Sequence, residues 1–156
     1  MLVWAHEAPA VELVAPEAVL LEDKRENQMR TVRIRVRSLR HAARLSIKAQ
    51  APLILPVRVN RHAWGEPRKG SNPAARGEAR LVPFGNDSWS LLYAAPPEDG
   101  VEITLMVPAD KPLELIVADI SDGLPATPGQ TSAARPADVT QQHFADATVV
   151  LKSHSF

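Results

Sequence analysis

The chain has 156 residues, 18 Lys and Arg against 18 Asp and Glu, 45% hydrophobic residues and no cysteine. That length suits one domain, residues 1–156, able to hold a core without staples; the missing thiols exclude disulfides, a cysteine nucleophile and a thiolate metal site. No run approaches the roughly 18 apolar residues of a membrane helix, so no direct membrane span is expected.

The opening, Met1-Leu2-Val3-Trp4-Ala5-His6-Glu7, has neither a basic region nor the long apolar stretch of a signal peptide, and leads almost directly into strand-like sequence. It fits a domain cut from a longer polypeptide. Ala10 to Leu21 reads as one extended stretch interrupted by Pro16, hence an edge or bent strand, and Asp23 to Gln28 as a polar turn. The clearest element follows. In Thr31-Val32-Arg33-Ile34-Arg35-Val36-Arg37, apolar and charged residues swap at every step, which predicts a strand with Val32, Ile34 and Val36 on one face and three arginines on the other. Arg44 to Ala49 resumes the period, and Leu53 to Asn60 continues it with Leu55, Val57 and Val59 facing one way, while Pro52 and Pro56 confine that strand to an edge.

From Arg61 to Gly77, glycines, prolines and charges predict a long exposed loop. Strands are expected again at Ala79 to Phe84 and at Ser88 to Tyr93, whose alternation assigns Trp89, Leu91 and Tyr93 to the core. After the turn Ala95 to Gly100, strands at Val101 to Val107 and Leu113 to Val117 are joined by Pro108-Ala109-Asp110-Lys111-Pro112, the length of an antiparallel hairpin connection. Ser121 to Gln142 forms a second long loop, with Arg135 to Phe144 the nearest approach to a helix, and Ala147 to Ser153 ends the pattern as a strand. Together these predict an all-β, two-sheet antiparallel β-sandwich of about nine strands, jelly-roll-like, with two long loops.

Charge is segregated along this pattern: between Lys24 and Arg80 lie 15 of the 18 basic residues against only Glu26, Glu66 and Glu78. Such a stretch can bind nucleic acid or an anionic membrane surface. Alternate-position arginines also form the solvated face of a sheet, with acids such as Glu102 and Glu114 opposite them as cross-strand pairs, and no nucleic-acid motif accompanies the charge. No nucleic-acid partner is therefore expected.

Catalytic patterns are absent. No two of His6, His41, His62, His143 and His154 stand at zinc-ligand spacing, and His143 with Asp146 would need further ligands from elsewhere to hold an ion. There is no Gly-x-Ser-x-Gly elbow. An alternative function, carbohydrate binding by stacked aromatics, rests on Trp4 and Trp64 in segments expected to be exposed.

A series of short motifs carries a resemblance. Trp89 to Tyr93 with Pro96-Pro97, Gly100 to Leu105, Pro112 to Leu115, Asp119-Ile120-Ser121-Asp122-Gly123-Leu124-Pro125, Arg135-Pro136-Ala137-Asp138, and Asp146 to Val150 before Lys152-Ser153 resemble the C-terminal region of bacterial membrane-anchored zinc exopeptidases. These are aminopeptidase-type enzymes related to glutamate carboxypeptidase. The earlier half shares only its alternating strands and Leu20-Leu21-Glu22-Asp23. The resemblance implies a β-rich extracytoplasmic, periplasmic accessory domain, tethered through membrane spans outside this sequence. Zinc and its ligands would belong to the parent's catalytic domain, with no cofactor and no catalytic residue here. The implied partner is that catalytic domain of the same polypeptide, and the candidate interface is Asp122, Gly123, Leu124, Pro125, Arg135, Pro136, Asp138 and Phe144, with Leu124 and Phe144 as apolar anchors and Arg135 pairing with Asp138 or with the partner.

Overall fold

The computed structural model describes residues 11–52, 54–60, 62–63, 88–125 and 147–156. They form nine strands: β1 (Glu17–Glu26), β2 (Met29–Arg37), β3 (Arg44–Gln50), β4 (Leu55–Val59), β5 (His62–Ala63), β6 (Ser88–Ala94), β7 (Val101–Pro108), β8 (Glu114–Asp122) and β9 (Ala147–Ser155). One sheet has the order β1-β2-β7-β4-β5, the other β6-β3-β8-β9, and every pairing is antiparallel. This is the expected sandwich. Its strand order departs from a jelly roll: β1-β2-β7-β4 over β3-β8-β9 matches the ABED-over-CFG order of an immunoglobulin-type sandwich, with β6 added beside β3.

Period-two alternation builds the core. Val32, Ile34 and Val36 of β2 lie opposite Leu105, Ile103 and Val101 of β7. Across the gap they meet Leu45, Ile47 and Ala49 of β3 and Leu115 and Val117 of β8 in one cluster, with Trp89 buried and Leu91 and Tyr93 packed against it. Outward, the three arginines of β2 each meet a carboxylate: Arg35 donates to Glu102 at 2.6 Å, Arg37 to Glu17 at 2.6 Å, and Arg33 lies 3.7 Å from Glu22. The Glu102 hydrogen bond raises the Arg35 pKa, and the Lys24 hydrogen bond lowers that of Glu22. Glu114 is not part of this array. It lies on the other sheet, where it accepts a hydrogen bond from Ser155.

Several local expectations are corrected. β1 begins directly after Pro16 and lies at a sheet edge, as read, but it runs through the expected turn to Glu26. Asp23 and Lys24 pair across to Val32 and Thr31, and the turn shrinks to Asn27-Gln28, where Asn27 takes a φ of 56° that asparagine tolerates. β4 is the expected proline-bearing strand near an edge, yet a register shift between Pro56 and Arg58 breaks its alternation. Leu55 is consequently exposed while Val59 packs on the core. Two residues of the expected loop 61–77, His62 and Ala63, form the short β5. The strand expected at Ala79 to Phe84 lies outside the described residues. Pro108 to Pro112 joins no hairpin: β7 and β8 belong to different sheets, so the segment crosses between them. Buried Leu113 fixes the crossing by exchanging backbone hydrogen bonds with Phe156, each 3.0 Å.

Arg30 closes this end of the sandwich from within. Although charged, it occupies an inward position of β2 and is buried; its guanidinium donates to Asp23 at 3.0 Å and to the carbonyls of Lys111 at 3.2 Å and Phe156 at 2.7 Å. Nearby, His154 on β9 is stacked on Phe156 with centroids 6.1 Å apart, and its Nε2 is buried without a partner. Burial, then the charge of Lys152, pushes the His154 pKa below its usual 6.5, with Glu17 opposing.

Gly100 has a φ of 96°, and a Cβ there would stand 2.7 Å from the Val36 carbonyl oxygen, whereas Gly123, with a φ of 91°, has nothing within 4 Å. Both angles strain an L-residue, so Gly123→Ala should cost about 1 kcal/mol in urea denaturation and Gly100→Ala roughly 2–3 kcal/mol or more. His154 binds a proton less readily folded than unfolded, so its contribution lowers stability as pH falls through and below about 6.5, flattening beneath the folded pKa. His154→Gln should remove that part of the pH dependence, read as the difference between variant and parent urea midpoints across the range.

Candidate functional site

Strand register gathers the connections at one end. Arg44 pairs with Ala94 and Ile120, Val36 with Val101, Asp122 with Ala147, and Val59 with Ile103. The β2–β3 loop, the β6–β7 loop, the turn at Asn60 and the segment Gly123 to Pro125 therefore share this end.

A buried carboxylate organises the end. Asp119 faces inward from β8 and is 0% exposed. Its Oδ1 accepts from Arg40 Nη2 at 2.6 Å and its Oδ2 from Ser38 Oγ at 2.7 Å. Ser38 Oγ in turn accepts from the amides of Arg40 at 3.2 Å and Ala42 at 3.1 Å, so one side chain folds the loop upon itself and ties it to the opposite sheet. Ala95 N–H donates to the Ala43 carbonyl at 2.9 Å, joining the β6–β7 loop to the same unit. Asn60, with a φ of 51°, exchanges bonds with the backbone of Glu102 and donates to the Tyr93 hydroxyl at 3.1 Å, linking the two sheets.

Between the loops lies a cleft of about 140 Å³ lined by Ser38, His41, Ala42, Pro96, Pro97 and Glu98. A serine, a histidine and a glutamate in one cleft suggest a nucleophilic triad, but the bonding does not fit one. Ser38 Oγ donates its hydrogen bond to Asp119 and accepts from two amides, so its hydroxyl hydrogen is directed to the carboxylate and not to a histidine. His41 holds a φ of 53° at the cleft wall. Among the described residues no group of three or more His, Asp or Glu is placed to hold a metal ion, and no helix is long and apolar enough to cross a membrane.

Of the residues singled out from sequence, four stand at this end. Asp122 is exposed and accepts from Arg44 Nη2 at 2.7 Å, anchoring the β8 terminus to β3. The Gly123 carbonyl accepts from Thr148 Oγ1 at 2.7 Å, which ties the turn to β9. Pro125 is half-buried. Leu124 is 64% exposed, so it does not anchor the turn on the sandwich; it projects from a base fixed on both sides. Arg135, Pro136, Asp138 and Phe144 lie outside the described residues, as do His143, Asp146, Trp4 and Trp64. Sequence reasoning missed Ser38, Arg40 and Asp119. The signal for Asp119 was its odd-numbered, inward place after Leu115 and Val117, where an unpaired charge is costly.

No protein-family model matches this chain, and neither the curated proteins nor the solved structures hold a match to it.

If the Asp119 unit holds the loops, breaking it leaves a buried charge uncompensated. Arg40→Met should cost about 3–5 kcal/mol, and Ser38→Ala about 1–3 kcal/mol, both read by chemical denaturation. Arg44→Met, at the more exposed Asp122 pair, should cost no more than about 1 kcal/mol.

Proposed function

We propose that this chain is a non-catalytic accessory domain of a membrane-anchored zinc exopeptidase of aminopeptidase type, seated on the catalytic domain of the same polypeptide through the loop end of the sandwich and held on the extracytoplasmic side. The supporting observation is the construction of the Asp122-Gly123-Leu124-Pro125 turn. Asp122 is tied to β3 by Arg44 and the Gly123 carbonyl to β9 by Thr148, while Leu124, next in the chain, is exposed to solvent. An apolar side chain held out on a fixed base is pre-organised for contact, since little ordering entropy remains to be lost on docking. Exposed Leu39 in the neighbouring loop offers a second apolar contact at the same end.

Zinc in this reading belongs to the catalytic domain, which also supplies nucleophile activation and the general base. The accessory domain's contribution is mechanical: it orients the catalytic domain or restricts approach to it. The segment resemblance to this family's C-terminal region supports the choice of partner.

The test separates docking from folding. Leu124→Asp in the isolated chain should change stability by no more than about 0.5 kcal/mol, because the side chain is exposed. In the full-length enzyme the same variant should lower peptidase activity or the thermal midpoint of the catalytic domain. An unchanged full-length enzyme, or an open reading frame with no zinc peptidase joined to this domain, overturns the proposal. The purified chain itself should not hydrolyse aminoacyl or peptide substrates.

A further inference from the structure

The strands at the sheet borders differ in how they meet solvent. β1 carries six charged residues among its ten and a register shift between Leu20 and Glu22. β4 carries Pro56, a register shift and only a two-residue neighbour. Charge, proline and irregularity are the usual protections of a sheet edge. β9 has neither proline nor irregularity, and its single charged protection is Lys152, beside its midpoint. It is nine residues long, pairs with β8 in unbroken register from Ala147 to Ser155, contains no proline, and has Lys152 as its one Lys, Arg, Asp or Glu. Among the described residues β8 is its only strand partner, and the side of β9 away from β8 carries a row of backbone donors and acceptors that no described strand pairs.

Side chains on the outer face of the same sheet add to this. Leu151 is 63% exposed and Val149 48%, against the acid–base pairs that cover the outer face of the other sheet. Leu151 is also the midpoint of β9. When a strand pairs antiparallel with its own copy about a two-fold axis, only an axis at the midpoint uses the whole length. Here that register sets Leu151 against Leu151 of the second copy, Val149 against Ser153, Val150 against Lys152 and Thr148 against His154. No like charges face each other, whereas an axis one residue further on would place Lys152 against itself.

We propose that two copies of this chain associate through β9, antiparallel about a two-fold axis at Leu151, joining their four-stranded sheets into one continuous sheet of eight. The occupant is a second copy because the edge is complementary to itself in length, charge and apolar position. One strand edge with two exposed apolar side chains per copy buries less than the roughly 1,200 Å² of a standard interface, so the dimer is weak and reversible. The inference is independent of the exopeptidase reading.

Sedimentation of the 156-residue chain from micromolar to millimolar concentration tests it. The apparent mass should rise from 17.0 kDa towards twice that value. Leu151→Lys and Leu151→Glu should each weaken association about tenfold or more, because an apolar pair becomes a like-charge pair at the axis. Their equimolar mixture should recover it, since each residue then meets its opposite. Leu92→Lys, on the far strand β6 of the same outer face, should leave association unchanged, with thermal midpoints confirming that all variants are folded. A monomer at every concentration overturns the proposal. So does a mixture that fails to recover association, or equal loss with Leu92→Lys, which would indicate face-to-face stacking or pairing through β6.

Discussion

Charge buried inside a β-sandwich must be matched there, and in this molecule that requirement falls at both ends of the barrel-like gap between the sheets. At one end the Asp119 carboxylate, without exposure, is matched by Arg40 and Ser38; at the other, the buried Arg30 guanidinium is matched by Asp23 and two carbonyls. Each group reaches from one sheet, or from the loop leaving it, to the other. The apolar layer between them supplies the driving force for closure, but apolar contacts are non-directional and tolerate sliding. The two polar matches fix where the sheets stop, and the loops that could serve a partner hang from one of them. A buried ion pair need not add net stability over an apolar substitute, so its role here is positional.

The two outer faces have different chemistry for the same reason. On the β1-β2-β7 sheet the arginines have acids within cross-strand reach, and a charged surface becomes a nearly neutral lattice of pairs. On the β3-β8-β9 sheet the corresponding outward positions include Ile116, Ala118, Ile120, Val149 and Leu151. The Arg44–Asp122 pair lies on this face, one member directly across from Ile120 and the other two residues along β8 from it. The stem of Arg44 can shield apolar surface while its head stays paired.

Much of the fold was legible because half-burial writes itself as a period of two. β2, β3, β7 and the inward residues of β6 follow from alternation alone, and so does the two-sheet class. What alternation does not encode is which sheet the next strand joins. Pro108 to Pro112 has the length and composition of a hairpin turn, and only the tertiary pairing of Leu113 with Phe156 distinguishes a crossing. The run from Asp23 to Glu26 was hidden by its charges, which an edge strand tolerates because one side of it is solvated. Of the residues at the loop end, Asp122 to Pro125 were singled out by their motifs. The Ser38–Arg40–Asp119 unit was not, because its members come from separated segments and become partners only once β2 and β8 face each other.

The register of β2 against β7 has a kinetic consequence. Met29 pairs with Pro108 and Val36 with Val101, so the central pairing of the larger sheet joins segments far apart in the chain, while the β1–β2 hairpin closes across Asn27-Gln28. Closing the long interval costs chain entropy before its contacts repay it, and sandwiches dominated by such pairings fold in roughly milliseconds to seconds. Until that closure the valines and isoleucine of β2 have a paired neighbour on one side only. In a sheet closed only on that side, the alternating arginines would keep the open strand soluble, so the charge pattern that ends as a lattice of surface pairs would also oppose association of a half-built sheet.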